Sequence, residues 1–239
     1  MSKSVFLLVS LAASLMLSGG AAALALPPSP RSWKPDIDEL VARDARHRPP
    51  QHGVLFVGSS SIRFWAATLQ QDFPGIPVID RGFGGSAIAD STYYASRIIV
   101  PYHPRVIVMY AGDNDIDEGC TPRQVLDEFK VFVARVRRGL PNVAIVYISI
   151  KPSLARWSLW PQMREANRKI AHWARTRKRV TFVDVSPMML GPDGKPRANL
   201  FREDGLHMAP AGYAIWIAAL EPVLARYGFP AHRARAAGG

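Results

Sequence analysis

Asp204 and His207 stand three residues apart in a Gly-containing stretch, Asp204-Gly205-Leu206-His207, just ahead of Pro210. On a turn, that spacing lets a carboxylate orient an imidazole and stabilise its cationic form, the arrangement of a general base. A base needs a nucleophile, and Gly58-Ser59-Ser60-Ser61 offers three hydroxyls. Serines are also ordinary helix N-caps, so that segment alone decides nothing. Of the six histidines, one other, His47, has an aspartate three residues earlier, Asp44, and that pair precedes the first apolar run.

Two further segments carry groups that could meet a developing oxyanion. Gly82-Phe83-Gly84-Gly85-Ser86 lets backbone N–H groups approach a ligand, or simply makes a tight turn. Gly112-Asp113-Asn114-Asp115 places the Asn114 amide, a possible donor, after five apolar residues. The loop from Lys151 to Pro161 holds Arg156, Trp157 and Trp160. Either both tryptophans wall a substrate pocket or they pack beneath the loop.

These segments need elements to hold them. Short apolar runs at Val54–Val57, Val78–Ile79, Val106–Tyr110, Val143–Ile150 and Val180–Val185 read as buried strands. Helical spacing is expected over Asp36–Arg46 and from Ile62 to Leu69. It is also expected after the cap Thr121 and Pro122 (with Val125, Phe129, Phe132 and Val136 inward), over Trp160–Arg177 and from Pro210. Alternating strands and helices predict a parallel five-stranded sheet in a flavodoxin-like three-layer α/β/α sandwich. Functional groups then gather outside the strand C-termini, where three of the four segments fall directly.

Residues 1–25 read as a secretory signal peptide: Lys3, an apolar Val5–Leu17, and a small-x-small site at Ala23-Leu24-Ala25. A periplasmic or secreted location follows as an expectation, with no stable membrane insertion after processing. Residues 26–50 read as a Pro-rich spacer with a short helix, 51–230 as the functional domain, and 231–239 as a disordered tail. One cysteine, Cys120, allows no internal disulfide. No His, Cys or carboxylate cluster has metal-ligand spacing, so neither metal nor cofactor is expected. The formal charge of +11 would suit an anionic partner. Its densest groups, Arg135-Arg137-Arg138 and Arg175-Arg177-Lys178-Arg179, fall at expected helix ends, and no nucleic-acid-binding motif accompanies them.

Taken in order, the four segments resemble the blocks of the SGNH (GDSL-like) hydrolases. Gly58-Ser59-Ser60-Ser61-Ile62 is similar to the first block, with Ser59 where Asp is usual and Ser60 at the nucleophile position. Gly82 to Ser86 resembles the glycine block, Gly112 to Asp115 the asparagine block, and Asp204 to His207 the last. The resemblance spans about Asp36 to Tyr227. It implies a serine esterase with triad Ser60, Asp204 and His207 and an oxyanion hole of the Ser60 and Gly85 N–H groups and the Asn114 amide. The implied substrates are small carboxylic esters, lysophospholipids or acylated sugars. An acyltransferase using the same site, or a non-catalytic carbohydrate- or anion-binding protein, are the alternatives.

Overall fold

The computed structural model describes residues 33–230. The expected leader, the spacer up to residue 32 and the tail 231–239 lie outside the described residues. Five strands form one parallel sheet: β1 (Val54–Gly58), β2 (Val78–Gly82), β3 (Val106–Tyr110), β4 (Ala144–Ile148) and β5 (Val180–Val183), in the order β2-β1-β3-β4-β5. The three inner strands are buried along their whole length, as their unbroken apolar runs require. Successive side chains leave the sheet on opposite faces. Leu55, Val57, Ile107, Met109, Ile145 and Tyr147 therefore belong to one core, and Val54, Phe56, Val106, Val108, Ala144 and Val146 to the other.

Nine α-helices lie among the described residues: α1 (Lys34–Arg46), α2 (Ser60–Trp65), α3 (Leu69–Asp72), α4 (Ile88–Ile98), α5 (Asp113–Asp117), α6 (Pro122–Gly139), α7 (Trp160–Ala174), α8 (Ser186–Met189) and α9 (Pro210–Arg226). Helices α1, α4, α6 and α7 cover the first face, and α2, α3, α8 and α9 the second. This is the expected three-layer sandwich. Helix α6 begins as its sequence requires. Thr121 accepts from the Gln124 N–H while the Gln124 side chain accepts from the Thr121 N–H, and Pro122 sits in the first turn.

Several boundaries differ from the sequence reading. The helix expected from Ile62 to Leu69 is two short ones, α2 and α3. Strand β4 is shorter than Val143–Ile150, and α7 ends at Ala174 rather than Arg177. Strand β2 runs on through Asp80 and Arg81 because the Arg81 guanidinium, 2% exposed, is paired with Asp44 of α1 at 2.7 Å and lies 4.2 Å from the Tyr102 ring centroid. Helix α1 starts at Lys34, two residues early, and inserts Ile37 and Leu40 into the first core. Helix α4 was not read from the sequence. Its inward residues include Asp90, Ser91 and Thr92, so it shows no clean apolar stripe.

The chain crosses to one side of β1 to make β2 and to the other to make β3 and the strands beyond. A sheet that reverses direction in this way opens a crevice at the strand C-termini. In register, Gly58 lies level with Gly82 of β2 and Tyr110 of β3. Three loops thus leave the sheet at one height.

Candidate active site

Gly58 shapes the first loop. Its φ is +141°, and a Cβ there would lie 1.8 Å from the Tyr110 carbonyl oxygen, so only glycine fits. Both neighbouring strands stitch the turn down: the Ser59 N–H donates to Tyr110 O and the Phe83 N–H to Gly58 O, each at 3.0 Å. Helix α2 then starts at Ser60, whose N–H belongs to the first helical turn, where no intrahelical acceptor exists.

The three serines have different surroundings. Ser59 is buried and its hydroxyl has no partner. The Ser61 hydroxyl is buried against Lys151 Nζ at 3.3 Å, while the Ser61 carbonyl accepts from the Tyr213 hydroxyl at 2.8 Å. Ser60 Oγ is partly exposed and sits 3.0 Å from His207 Nε2.

His207 comes from a tight turn closed by the Arg202 N–H donating to His207 O (2.8 Å) and the Gly205 N–H donating to Arg202 O (2.9 Å). Asp204 Oδ1 accepts from the N–H groups of Leu206 and His207, both at 2.8 Å, and Oδ2 lies 2.7 Å from His207 Nδ1. Partial burial works to raise the Asp204 pKa. The hydrogen bonds from the His207 ring and from the two N–H groups outweigh it and hold the carboxyl down at about 2. An ionised Asp204 demands the proton on Nδ1, which leaves the Nε2 lone pair facing Ser60 Oγ.

The other two loops converge on Asn114. Its Nδ2 donates to Ser86 O at 3.0 Å, and its Oδ1 accepts from Arg156 Nη1 at 2.9 Å. The amide therefore bridges the Gly82–Ser86 loop to the Lys151–Pro161 loop with a fixed orientation. Gly85 has φ +75° and lies next to the Trp33 ring, which a Cβ would meet at 3.4 Å.

Beneath these loops lies a buried charge network. Lys151 Nζ, 1% exposed, contacts Asp113 Oδ2 at 3.0 Å and the Tyr110 hydroxyl at 2.8 Å. Burial would raise the Asp113 carboxyl, but the charges of Lys151 and Arg156 pull it below its ordinary value. Asp115 goes the other way. It accepts from the Ile88 N–H at 3.1 Å, and burial, then the hydrogen bond and charge of Glu128, push its carboxyl well up.

The structure thus brings Ser60, Asp204 and His207 into one hydrogen-bonded line and sets Gly85 on the loop after β2 and Asn114 in the short helix α5 that follows β3. Among the described residues, no hydrogen bond or ring contact links Trp157 or Trp160 to Ser60, Asp204 or His207. The two tryptophan rings stack on each other, with centroids 6.2 Å apart, and pack with the core on the sheet face opposite α2 and α9. The sequence reading gave no role to Lys151, Phe64 or Arg202, and read Arg156 only as a loop residue. Phe64 stands edge-on to the His207 ring at 4.7 Å, and the Arg202 guanidinium lies 4.5 Å over the Phe64 ring. Their signal was slight: Phe64 follows Ser60 by one helical turn, and Arg202 precedes the Asp204 turn.

A family model described as GDSL-like Lipase/Acylhydrolase matches residues 50–215. No curated protein sequence matches the chain. Solved structures share the fold. One is a GDSL-like lipase from Bacteroides thetaiotaomicron, with TM-score 0.69 and 18% identity over 80% of this chain and 98% of that one. Another is an acetyl-xylooligosaccharide esterase from Geobacillus Stearmophilus, with TM-score 0.57 and 17% identity over 78% and 99%. A third is a carbohydrate esterase family 3 protein from Talaromyces cellulolyticus, with TM-score 0.57 and 16% identity over 73% and 97%.

Proposed function

Since the chain belongs to the GDSL-like lipase/acylhydrolase family and is a hydrolase of ester bonds, we propose that it is an exported serine esterase working through Ser60, His207 and Asp204. The observation that carries the reading is the unbroken line from Ser60 Oγ through His207 (3.0 Å) to Asp204 (2.7 Å). As Ser60 Oγ bonds to the ester carbonyl carbon, its proton passes to His207 Nε2. Asp204 holds the ring and stabilises its charge. The carbon–oxygen bond to the alcohol then breaks, and His207 gives that proton to the departing oxygen. Water repeats the sequence on the acyl-Ser60, releasing the acid and restoring the hydroxyl. The Ser60 and Gly85 N–H groups and the second Asn114 Nδ2 proton meet the tetrahedral oxyanion. A single such donor contributes on the order of 3 kcal/mol in the transition state. The substrate is a small carboxylic ester, a lysophospholipid or an acylated sugar.

Export to the periplasm or exterior rests on the N-terminal sequence from Lys3 to Ala25. Among the described residues, no helix is long and apolar enough to cross a membrane.

Hydrolysis of para-nitrophenyl esters from acetate to decanoate, by wild type and Ser60→Ala, tests the mechanism. The variant should fold normally and lose at least about 10⁴-fold in kcat. Equal turnover by both proteins would refute Ser60 as nucleophile. Protein recovered outside the cytoplasm should begin at Leu26, and an intact Met1 would refute cleavage.

A further inference from the structure

We infer that the ester cleaved here carries a negative charge on its alcohol part, read by Arg202. This rests on the catalytic reading above. Because His207 protonates the departing oxygen, the alcohol part lies on the His207 side of Ser60. That side is paved by Phe64, a large apolar residue left 38% exposed and edge-on to the imidazole. The Arg202 guanidinium covers the face of the same ring. Arg202 is exposed; among the described residues its side chain hydrogen-bonds to the Met208 carbonyl alone (3.3 Å) and pairs with no carboxylate.

Arg63 lies on the other flank, one helical turn after Ser60, with Nη1 beside Gly84, where a Cβ would come within 3.0 Å. It too is exposed and outside every ion pair of the described residues. The carboxylates of the turn do not neutralise either arginine. Asp204 spends both oxygens on His207 and backbone N–H groups, and exposed Glu203 forms no ion pair with either. The Arg202 guanidinium, over an aromatic ring on the His207 side of the nucleophile, forms a recognition surface for a carboxylate or similar anion next to an apolar or sugar-ring face.

The test compares para-acetoxybenzoate with its neutral methyl ester, each normalised to its own hydroxide-driven hydrolysis. A second pair moves the charge to the acyl side: mono-para-nitrophenyl glutarate against para-nitrophenyl valerate. Wild type should prefer the alcohol-side anion by about tenfold in kcat/KM at low salt, with little preference on the acyl side. About 0.5 M salt should erase most of the preference. Arg202→Gln should reduce it to about twofold, and Arg202→Lys should retain part of it. Equal rates for the alcohol-side pair, a preference seen only on the acyl side, or a preference untouched by salt would overturn the inference while leaving the esterase reading intact. Loss of all hydrolysis by wild type, or equal hydrolysis by Ser60→Ala, would instead overturn the catalytic reading. Should Arg202→Gln fold poorly, the salt titration of wild type decides.

Discussion

Replacing Arg156 with methionine tests how the Asn114 amide is held. In the structure the amide is pinned at both ends, its Nδ2 by Ser86 O and its Oδ1 by Arg156 Nη1. Asn114 is only 7% exposed, so an Oδ1 without Arg156 would stay out of water. Charge-assisted hydrogen bonds contribute roughly 1.5–3 kcal/mol, about twice a neutral one. Ser86 still holds one amide proton in the variant, so the donor stays but is less polarised and less well oriented. The upper bound is complete loss of an oxyanion donor, about 10²–10³ in kcat. With half of the pinning gone, we expect kcat to fall about tenfold, about 1.4 kcal/mol, with KM within about twofold. Asp113 keeps Lys151 and Tyr110, so the network beneath should survive. Steady-state kinetics on a para-nitrophenyl ester should be run for wild type, each single variant and the double variant Asn114→Ala with Arg156→Met. In the double variant, losing Arg156 should cost nothing further. A kcat within twofold of wild type, or a full tenfold loss persisting on the Asn114→Ala background, would refute the reasoning.

Two other substitutions have outcomes fixed by geometry. Gly58→Ala puts a Cβ into the Tyr110 carbonyl at a left-handed φ; a denaturant melt should show a loss of at least about 3 kcal/mol, and a melt within 1 kcal/mol of wild type would mean the turn can shift cheaply. The folded state keeps a proton on Asp115 that the unfolded chain releases, so wild-type stability should fall as pH rises from about 4 through the raised pKa. Asp115→Asn keeps an acceptor for the Ile88 N–H and should flatten that decline in thermal melts from pH 5 to 9; identical slopes would remove the assignment.

The parts of this molecule that announce themselves in the sequence are those whose demands are local. The central strands have to be apolar on both faces, and Val106–Tyr110 or Val54–Val57 can be little else. The Thr121–Gln124 cap is written in four consecutive residues. Helix α4 hides because Asp90 and Thr92 find hydrogen-bond partners within the protein and so can occupy an inward face. Arg81 hides the second half of β2 in the same way, since its partner Asp44 lies 37 residues away. At the site, residue types gave the triad candidates, but not what surrounds them. Lys151 reaches Ser61 across 90 residues and Arg156 reaches Asn114 across 42, and no local pattern encodes such pairs. The two tryptophans illustrate the converse: aromatic residues on a loop beyond a strand are as well suited to packing as to lining a site, and here Trp160 is buried in the core with the half-buried Trp157 stacked on it.

Ser60 and His207 are separated by 147 residues of chain. During synthesis, Ser60 emerges near the beginning of the domain, whereas His207 comes only after the entire sheet. Closure of so long a span belongs among the slow, non-local events of folding. On the proposed mechanism, ester cleavage is a gauge of complete assembly: a nascent or half-folded chain holding its sheet but not its last turn would be inert. The same turn, held to the body by a few hydrogen bonds such as the Ala155 N–H to Gly205 O at 3.1 Å, could switch the activity off by fraying alone, with the rest of the molecule still folded.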